Sequence, residues 1–193
     1  LSFAATQAMA QTSAQPSQPA AQALLDNYTP VTLEEPAAPP ASDWLMWRGT
    51  PNHWAYSQLD QINKANVNSL RLAWSWTMEP GKQETTPLVH DGIMFLPQAC
   101  DYIEAVDATD GTPLWEYRRP EVDHAAPLSC ANRNGTLYKD QLILATRDAY
   151  IVSLNATTGE VTWEVQVGDW TVGQHYSGGP QVFNGKIITA PEW

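Results

Sequence analysis

The sequence has few cysteines, few basic residues and no long apolar run. Its two cysteines, Cys100 and Cys130, cannot by themselves complete a closed zinc site, which needs four nitrogen or sulfur ligands. Ten lysine and arginine residues against 21 aspartate and glutamate residues give a net charge of −11, so neither nucleic acid nor an anionic membrane is an expected partner. No stretch approaches the roughly 20 consecutive apolar residues that span a bilayer. We therefore expect no transmembrane segment in the mature chain.

The N-terminus is typical of an exported protein. Residues 1–10 end in Ala8, Met9 and Ala10, the small-x-small pattern of a signal peptidase site. We interpret 1–10 as the remnant of a signal peptide cleaved after Ala10, which predicts a periplasmic location; a disordered Ala-rich tail is the alternative. Residues 11–42 are rich in Ala, Pro and Gln and are predicted to be a disordered linker. The globular domain is predicted to occupy 43–193.

Proline, glycine and tryptophan are abundant, at 15, 11 and 9 residues, which favours short strands and frequent turns over a helical bundle. Within this domain, Tyr102–Glu116 recurs as Tyr150–Glu164, 48 positions later. In each copy an apolar strand is followed by a polar residue that can accept turn amides, a glycine that permits positive φ, and a tryptophan. These residues are Asp107, Gly111 and Trp115 in the first copy and Asn155, Gly159 and Trp163 in the second. Residues 87–95 likewise recur as 180–188, two units further on.

This repeat predicts an all-β fold, specifically a β-propeller. A tryptophan at the same place in every unit is best explained as a wedge against the neighbouring unit, burying about 200 Å². A single four-stranded sheet cannot cover both of its faces, so the stacking of units continues around a ring. A β-sandwich is the alternative, but sandwiches do not repeat a tryptophan in register.

The pattern Ala105-x-Asp107-x-x-Asp110-Gly111-x-x-x-Trp115 resembles the tryptophan-docking repeat of pyrroloquinoline quinone (PQQ) dehydrogenases. The opening of the domain is more specific: residues 43–74 closely resemble the start of the methanol, ethanol and related alcohol dehydrogenases of this family. The resemblance extends from Asp43 to about Thr189. It implies an eight-bladed β-propeller, of which this chain would contain the first two to three four-stranded blades.

The resemblance also implies an activity. Such enzymes oxidise a small alcohol by hydride transfer to PQQ, with a calcium or lanthanide ion polarising the quinone, and pass electrons to cytochrome c or a membrane quinone. The family's catalytic aspartate and metal ligands belong to later blades, so none is assigned here, and we expect the fragment to be inactive alone. The alternatives are a non-enzymatic periplasmic scaffolding propeller of the outer-membrane assembly type, and a PQQ sugar dehydrogenase.

Three positions match residues that contact the cofactor in this family. Glu84 matches a glutamate, Arg133 the arginine that clamps the PQQ carboxylates, and Ser177 a serine or threonine that hydrogen-bonds PQQ. Each has a plainer interpretation: a solvated loop carboxylate, a surface arginine, and a polar residue ending a strand. Glu192 lies about three positions before the place of the family's metal-binding glutamate, so it is not assigned to the metal.

The cysteines depart from the family pattern. Many methanol-type members have two adjacent cysteines that form a disulfide ring over the quinone, whereas Ser129 precedes Cys130 here. The sequence leaves open whether Cys130 pairs with Cys100, which would require their Cα atoms to lie within roughly 7 Å.

Overall fold

Short antiparallel strands dominate the computed structural model, which describes residues 19–121 and 130–192. The strands form two four-stranded sheets and a two-stranded hairpin, each with neighbours in chain order. The first sheet contains β1 (Leu88–His90), β2 (Ile93–Gln98), β3 (Tyr102–Asp107) and β4 (Pro113–Arg118). The second contains β5 (Thr136–Tyr138), β6 (Gln141–Ala145), β7 (Tyr150–Asn155) and β8 (Val161–Gln166), and the hairpin contains β9 (Gln181–Phe183) and β10 (Lys186–Ile188).

Helical structure is sparse in the described residues. It consists of helix α1 (Pro19–Asp26) and four short 3-10 turns at Glu35–Ala37, Val67–Ser69, Ala99–Asp101 and Trp170–Val172. No helix in residues 19–121 or 130–192 has the length and apolar character needed to cross a membrane.

The predicted hairpin turn is present in both copies of the repeat. After β3, Asp107 Oδ1 accepts the Thr109 amide at 2.8 Å, and Gly111 has a φ of +78°. After β7, Asn155 Oδ1 accepts the amide of Thr157 at 2.9 Å. Both sheets also contain a register shift at the same point of the following strand pair. The turn with a bulge expected from sequence is therefore confirmed.

The tryptophan of the first sheet docks on the turn of the second. The indole nitrogen of Trp115 donates to the Ala156 carbonyl at 2.9 Å. The ring lies so close to Gly159 that a Cβ there would fall 2.5 Å from Trp115 Cε3. Only glycine can accept this approach, and its φ of +73° also disfavours other residues.

An earlier tryptophan makes the same contact one unit before. Trp74 donates its indole proton to the Ala108 carbonyl at 3.3 Å, and a Cβ on Gly111 would lie 2.8 Å from Trp74 Cε3. Trp163 occupies the corresponding position on β8, where Val161 and Val165 are exposed. The tryptophan wedge between successive four-stranded sheets, and with it the propeller architecture, is confirmed.

A buried ion pair joins the two sheets beside the tryptophan contact. Arg119, directly after β4, donates from Nε and Nη2 to Asp148 Oδ2 at 3.1 and 2.9 Å. Arg119 also pairs with Glu164 on β8. The Arg119 and Asp148 side chains are almost fully buried. Removing either one would therefore leave the other as an uncompensated charge between the sheets.

The structure differs from the predicted disordered linker over residues 19–42; residues 1–18 lie outside the described residues. Ala21 of helix α1 is buried in the core, and Leu24 and Leu25 pack against it. Val31 is buried and pairs with Lys139 through two backbone hydrogen bonds of 2.9 and 2.7 Å. Average composition predicted disorder because it does not register these few apolar residues, whose spacing lets them cover the core.

His90 fastens this N-terminal segment to the first sheet. The imidazole is buried, with Nδ1 2.6 Å from Asp43 Oδ2 and Nε2 2.8 Å from the Thr29 carbonyl. Both partners are acceptors, so both ring nitrogens donate and the ring is an imidazolium. Burial lowers the pKa of His90, but the hydrogen bonds to Thr29 and Asp43, together with the negative charges of Asp91 and Asp43, outweigh it and hold the pKa above its usual value of 6.5.

Replacing Gly159 tests the tryptophan wedge. We expect Gly159→Ala to lower the free energy of unfolding by about 2–4 kcal/mol, because the new Cβ adds overpacking to backbone strain. Gly185→Ala is the matched control: Gly185 also has positive φ, but a Cβ there meets nothing within 4 Å, so about 1 kcal/mol is expected. Urea unfolding measures both, and equal losses would contradict the wedge.

The buried contacts of His90 predict that the free energy of unfolding depends on pH. Because the folded pKa is raised, the stabilisation is complete below pH 6.5 and is lost as the pH rises through the folded pKa. The difference in unfolding free energy between wild type and His90→Gln, measured by urea titration from pH 5.5 to 9, should therefore shrink above pH 6.5. A difference that stays constant across this range would show that the His90 ring does not titrate in the folded protein.

Candidate functional site

Glu84, Arg133 and Ser177 are distant in sequence but meet in the structure. Arg133 Nε lies 2.7 Å from Glu84 Oε2, and Arg133 Nη1 donates to the Ser177 hydroxyl. Lys82 adds a second cation, with Nζ 2.6 Å from Glu84 Oε1. The three residues predicted from the family resemblance thus form one polar cluster, which we call the Arg133 cluster.

The repeat explains why these three residues meet. Glu84, Arg133 and Ser177 each lie three or four residues before the first strand of their unit, namely β1, β5 and β9. These approach segments run side by side: the Thr86 amide donates to the Arg133 carbonyl at 2.8 Å, and the Arg133 amide donates to the Ser177 carbonyl at 3.0 Å. Equivalent positions of three successive units therefore become neighbours.

The cluster is charged and open on one side. The Arg133 side chain is 41% exposed and the Glu84 side chain 27%, whereas Ser177 is buried. The hydrogen bond from Lys82, followed by the charges of Arg133 and Lys82, lowers the pKa of Glu84 below its ordinary value. Glu84 is therefore ionised at neutral pH and holds the guanidinium in place, while part of Arg133 remains accessible.

Glu192 joins the cluster, although sequence reasoning gave it no role. Its backbone pairs with His175 through hydrogen bonds of 3.1 and 2.8 Å, which brings its carboxylate to the Ser177 hydroxyl and within 3.5 Å of Arg133 Nη1. Family spacing excluded Glu192 from the metal position but did not indicate any other contact. A weak signal existed, since Glu192 follows a strand-like stretch that could pair back onto residues near Ser177.

The open question of the cysteines is answered: Cys100 and Cys130 form a disulfide, with Cα atoms 4.2 Å apart. The Cys100 amide also donates to the Cys130 carbonyl at 2.6 Å. The disulfide therefore connects the turn between β2 and β3 to the segment that leads into Arg133.

Asp101, next to the disulfide, is a buried carboxyl between the two sheets. Its Oδ1 accepts the Asn132 side-chain amide at 3.0 Å, and its Oδ2 accepts the Arg147 backbone amide at 2.9 Å. Burial raises the pKa of Asp101 to about 6, and these two hydrogen bonds oppose that rise. The Asp101 carboxyl thus holds residues from two connections.

Within residues 19–121 and 130–192, one group of potential metal ligands lies apart from the Arg133 cluster. Glu35, Asp43 and His90 bring one ligand atom each within 4.8 Å of one another. Both nitrogens of His90 already donate to acceptors, however, so the ring has no lone pair for a cation. We assign no metal to this group.

The chemistry of the Arg133 cluster is suited to a carboxylate-bearing ligand. Arg133 Nε and Nη1 already contact Glu84, Ser177 and Glu192, so the partly exposed guanidinium offers a carboxylate its remaining nitrogen, Nη2, and Lys82 adds positive charge. This donor set fits the carboxylates of PQQ. Tryptophan-docked sheets with such a cluster at the start of successive units are consistent with a β-propeller of the quinoprotein class.

Comparison with known proteins agrees with this class. Residues 44–164 match the PQQ family described as "Glucose/ethanol/alcohol dehydrogenase, beta-propeller domain". The chain belongs to this family, which confirms the resemblance inferred from the repeat and from the opening of the domain.

The similar proteins are dehydrogenases. Over 138 residues the chain is 38% identical to the quinoprotein alcohol dehydrogenase PedH of Pseudomonas putida, covering 69% of this chain and 23% of PedH. The structure of quinohemoprotein alcohol dehydrogenase ADHIIG from P. putida HK5 superposes with a TM-score of 0.76 at 28% identity, covering 83% of this chain and 24% of that one. A europium-containing methanol dehydrogenase gives 0.71 at 29% identity, covering 78% and 27%. The chain thus spans about a quarter of the length of each.

Proposed function

We propose that this chain supplies the first blades of a PQQ-dependent dehydrogenase that oxidises an alcohol, and that Glu84, Arg133 and Ser177 hold the cofactor. The observation that carries the proposal is the meeting of these three residues at equivalent positions of successive units. Membership of the PQQ family and likeness to proteins named alcohol dehydrogenases support the activity. When bound, the quinone accepts the hydride removed from the alcohol.

The residues of this chain would act by binding and orientation. Arg133 offers its exposed guanidinium to a cofactor carboxylate, and Glu84 holds the other side of the guanidinium through Nε. Ser177, which is buried, accepts a hydrogen bond from Nη1 and so restrains the guanidinium. Because these contacts exist without the ligand, little side-chain entropy would be lost when the ligand binds.

Several features of the whole protein belong to the same proposal. We infer a calcium or lanthanide ion beside the quinone, supported by the europium-containing relative, with its ligands outside the residues assigned here. Transfer of electrons to a cytochrome is supported by the relatives named quinohemoproteins, and a membrane quinone is the other acceptor. Periplasmic location rests on the signal pattern ending at Ala10, which lies outside the described residues.

The two alternatives receive less support. The likeness to relatives named alcohol dehydrogenases does not favour a non-enzymatic scaffolding propeller. The family description includes glucose dehydrogenases, but PedH and a relative from Comamonas testosteroni are named as alcohol dehydrogenases, and a relative from Thauera butanivorans is named as a 1-butanol dehydrogenase. We therefore retain an alcohol as the substrate class.

Removing the guanidinium tests the cofactor site. We expect Arg133→Met, in the full-length protein that contains these blades, to weaken PQQ binding about 30-fold or more, corresponding to about 2 kcal/mol, because a charge-assisted contact to a carboxylate is lost. Equilibrium dialysis with PQQ gives the dissociation constant. The 193-residue chain alone should bind PQQ negligibly, since its described residues form two four-stranded sheets and a hairpin, fewer units than a closed propeller contains.

Arg118→Met is the matched control for this experiment. Arg118 also pairs with a glutamate, its Nη2 lying 2.7 Å from Glu79 Oε1, and its side chain is 52% exposed, but it lies on β4 outside the Arg133 cluster. PQQ binding by this variant should equal that of wild type. Equal PQQ affinities for Arg133→Met and wild type would refute the assignment of Arg133.

A further inference from the structure

The Cys100–Cys130 disulfide links the segment that leads into Arg133 to the first sheet. Cys130 lies three residues before Arg133, and the chain from 130 to 135 belongs to no strand or helix. Besides the disulfide, a backbone hydrogen bond of 2.6 Å joins Cys100 to the Cys130 carbonyl. The position of this segment therefore depends on its contacts rather than on membership of a sheet.

Asp101 contacts the same segment at Asn132, two residues after Cys130. Its buried carboxyl accepts the side chain of Asn132, the residue directly before Arg133, and also the backbone amide of Arg147 in the second sheet's β6–β7 turn. The Asp101 carbonyl in turn accepts the Arg119 amide at 3.2 Å. Consecutive residues of one turn thus hold alternate residues of the approach segment.

The turn that contains Cys100 and Asp101 adopts an unfavourable backbone conformation. Cys100 and Asp101 have φ values of +60° and +56°, in the left-handed region that non-glycine residues rarely occupy. Such a conformation costs free energy and persists where surrounding contacts over-determine it. Here those contacts are the disulfide and the hydrogen bonds of Asp101.

The backbone of Arg133 is held in place, while its charged side chain remains partly exposed. The Arg133 amide and carbonyl are both used, donating to Ser177 and accepting from Thr86. A long side chain on a fixed backbone presents its guanidinium in fewer orientations, and misplacing a binding group by about 1 Å can cost much of its effect.

We propose that the Cys100–Cys130 disulfide and Asp101 form a clasp that positions Arg133 to bind a carboxylate of the cofactor. Cys100, Cys130 and Asp101 are positioning residues, since they act through the Arg133 backbone. The clasp extends the proposed function, and its ligand rests on that proposal. The ordering of the Arg133 segment rests on the structure alone.

Removing the disulfide tests the clasp in the full-length protein. In Cys100→Ser/Cys130→Ser, hydrogen exchange of the Thr86 and Arg133 amides, followed without PQQ, should accelerate at least about tenfold because the segment loosens. The amide of Val152, in the middle of β7, is the internal control and should not change. Unchanged exchange at Thr86 and Arg133 would overturn the clasp.

A double-mutant cycle with PQQ separates positioning from general stability. Loss of the disulfide should weaken PQQ binding about tenfold when Arg133 is present, and hardly at all in an Arg133→Met background, because the clasp acts through that side chain. Equal weakening in both backgrounds would show a merely structural disulfide and overturn the proposal.

A milder variant keeps the test decisive if the cysteine variant does not fold. Asn132→Ala retains the disulfide and removes only the side-chain contact to Asp101, so smaller changes of the same sign are expected in amide exchange and PQQ binding. Wild-type values in both would overturn the contribution of Asp101. If wild type itself binds no PQQ, the proposed function fails, while amide exchange still decides whether the clasp orders Arg133.

Discussion

The stacking of a tryptophan on the glycine turn of the next sheet is the contact on which the rest of the structure depends. Each indole covers a glycine too closely for any other residue and anchors its nitrogen on a carbonyl of the same turn. This contact sets how one sheet sits against the next. Because it recurs from unit to unit, the segments that lead into the first strands of successive units are brought side by side, and the Arg133 cluster follows from that placement.

In the candidate site, equivalent positions of the repeat carry side chains of different chemistry. Glu84, Arg133 and Ser177 occupy comparable places in three units but are a carboxylate, a guanidinium and a hydroxyl. The repeat supplies the positions, and departures from it supply the charges, consistent with function lying in sites placed on a fold. The disulfide and Asp101 add local constraint where the chain approaching Arg133 lies outside the strands.

Different parts of the structure were predictable to different degrees. The strands and the turns at Asp107 and Asn155 could be inferred because they depend on residues close together in the chain, and the role of Trp115 because the residue recurs in register as Trp163. The order of residues 19–42 could not, since a few apolar side chains such as Val31 find partners more than a hundred positions away. The same holds for the buried imidazolium of His90, whose partners Asp43 and Thr29 are 47 and 61 positions distant.

The amino-acid sequence by itself determined the repeating unit and the propeller class, because alternation, turn chemistry and a tryptophan recurring in register can be read along the chain, and its resemblance to a family indicated Glu84, Arg133 and Ser177. Only the tertiary structure decided that Cys100 pairs with Cys130, that Glu192 joins Arg133 and Ser177, and that Asp101 lies beneath the approach segment. The reason is physical: these contacts require particular distances between remote segments, and those distances arise only after tryptophan docking has fixed the sheets relative to one another.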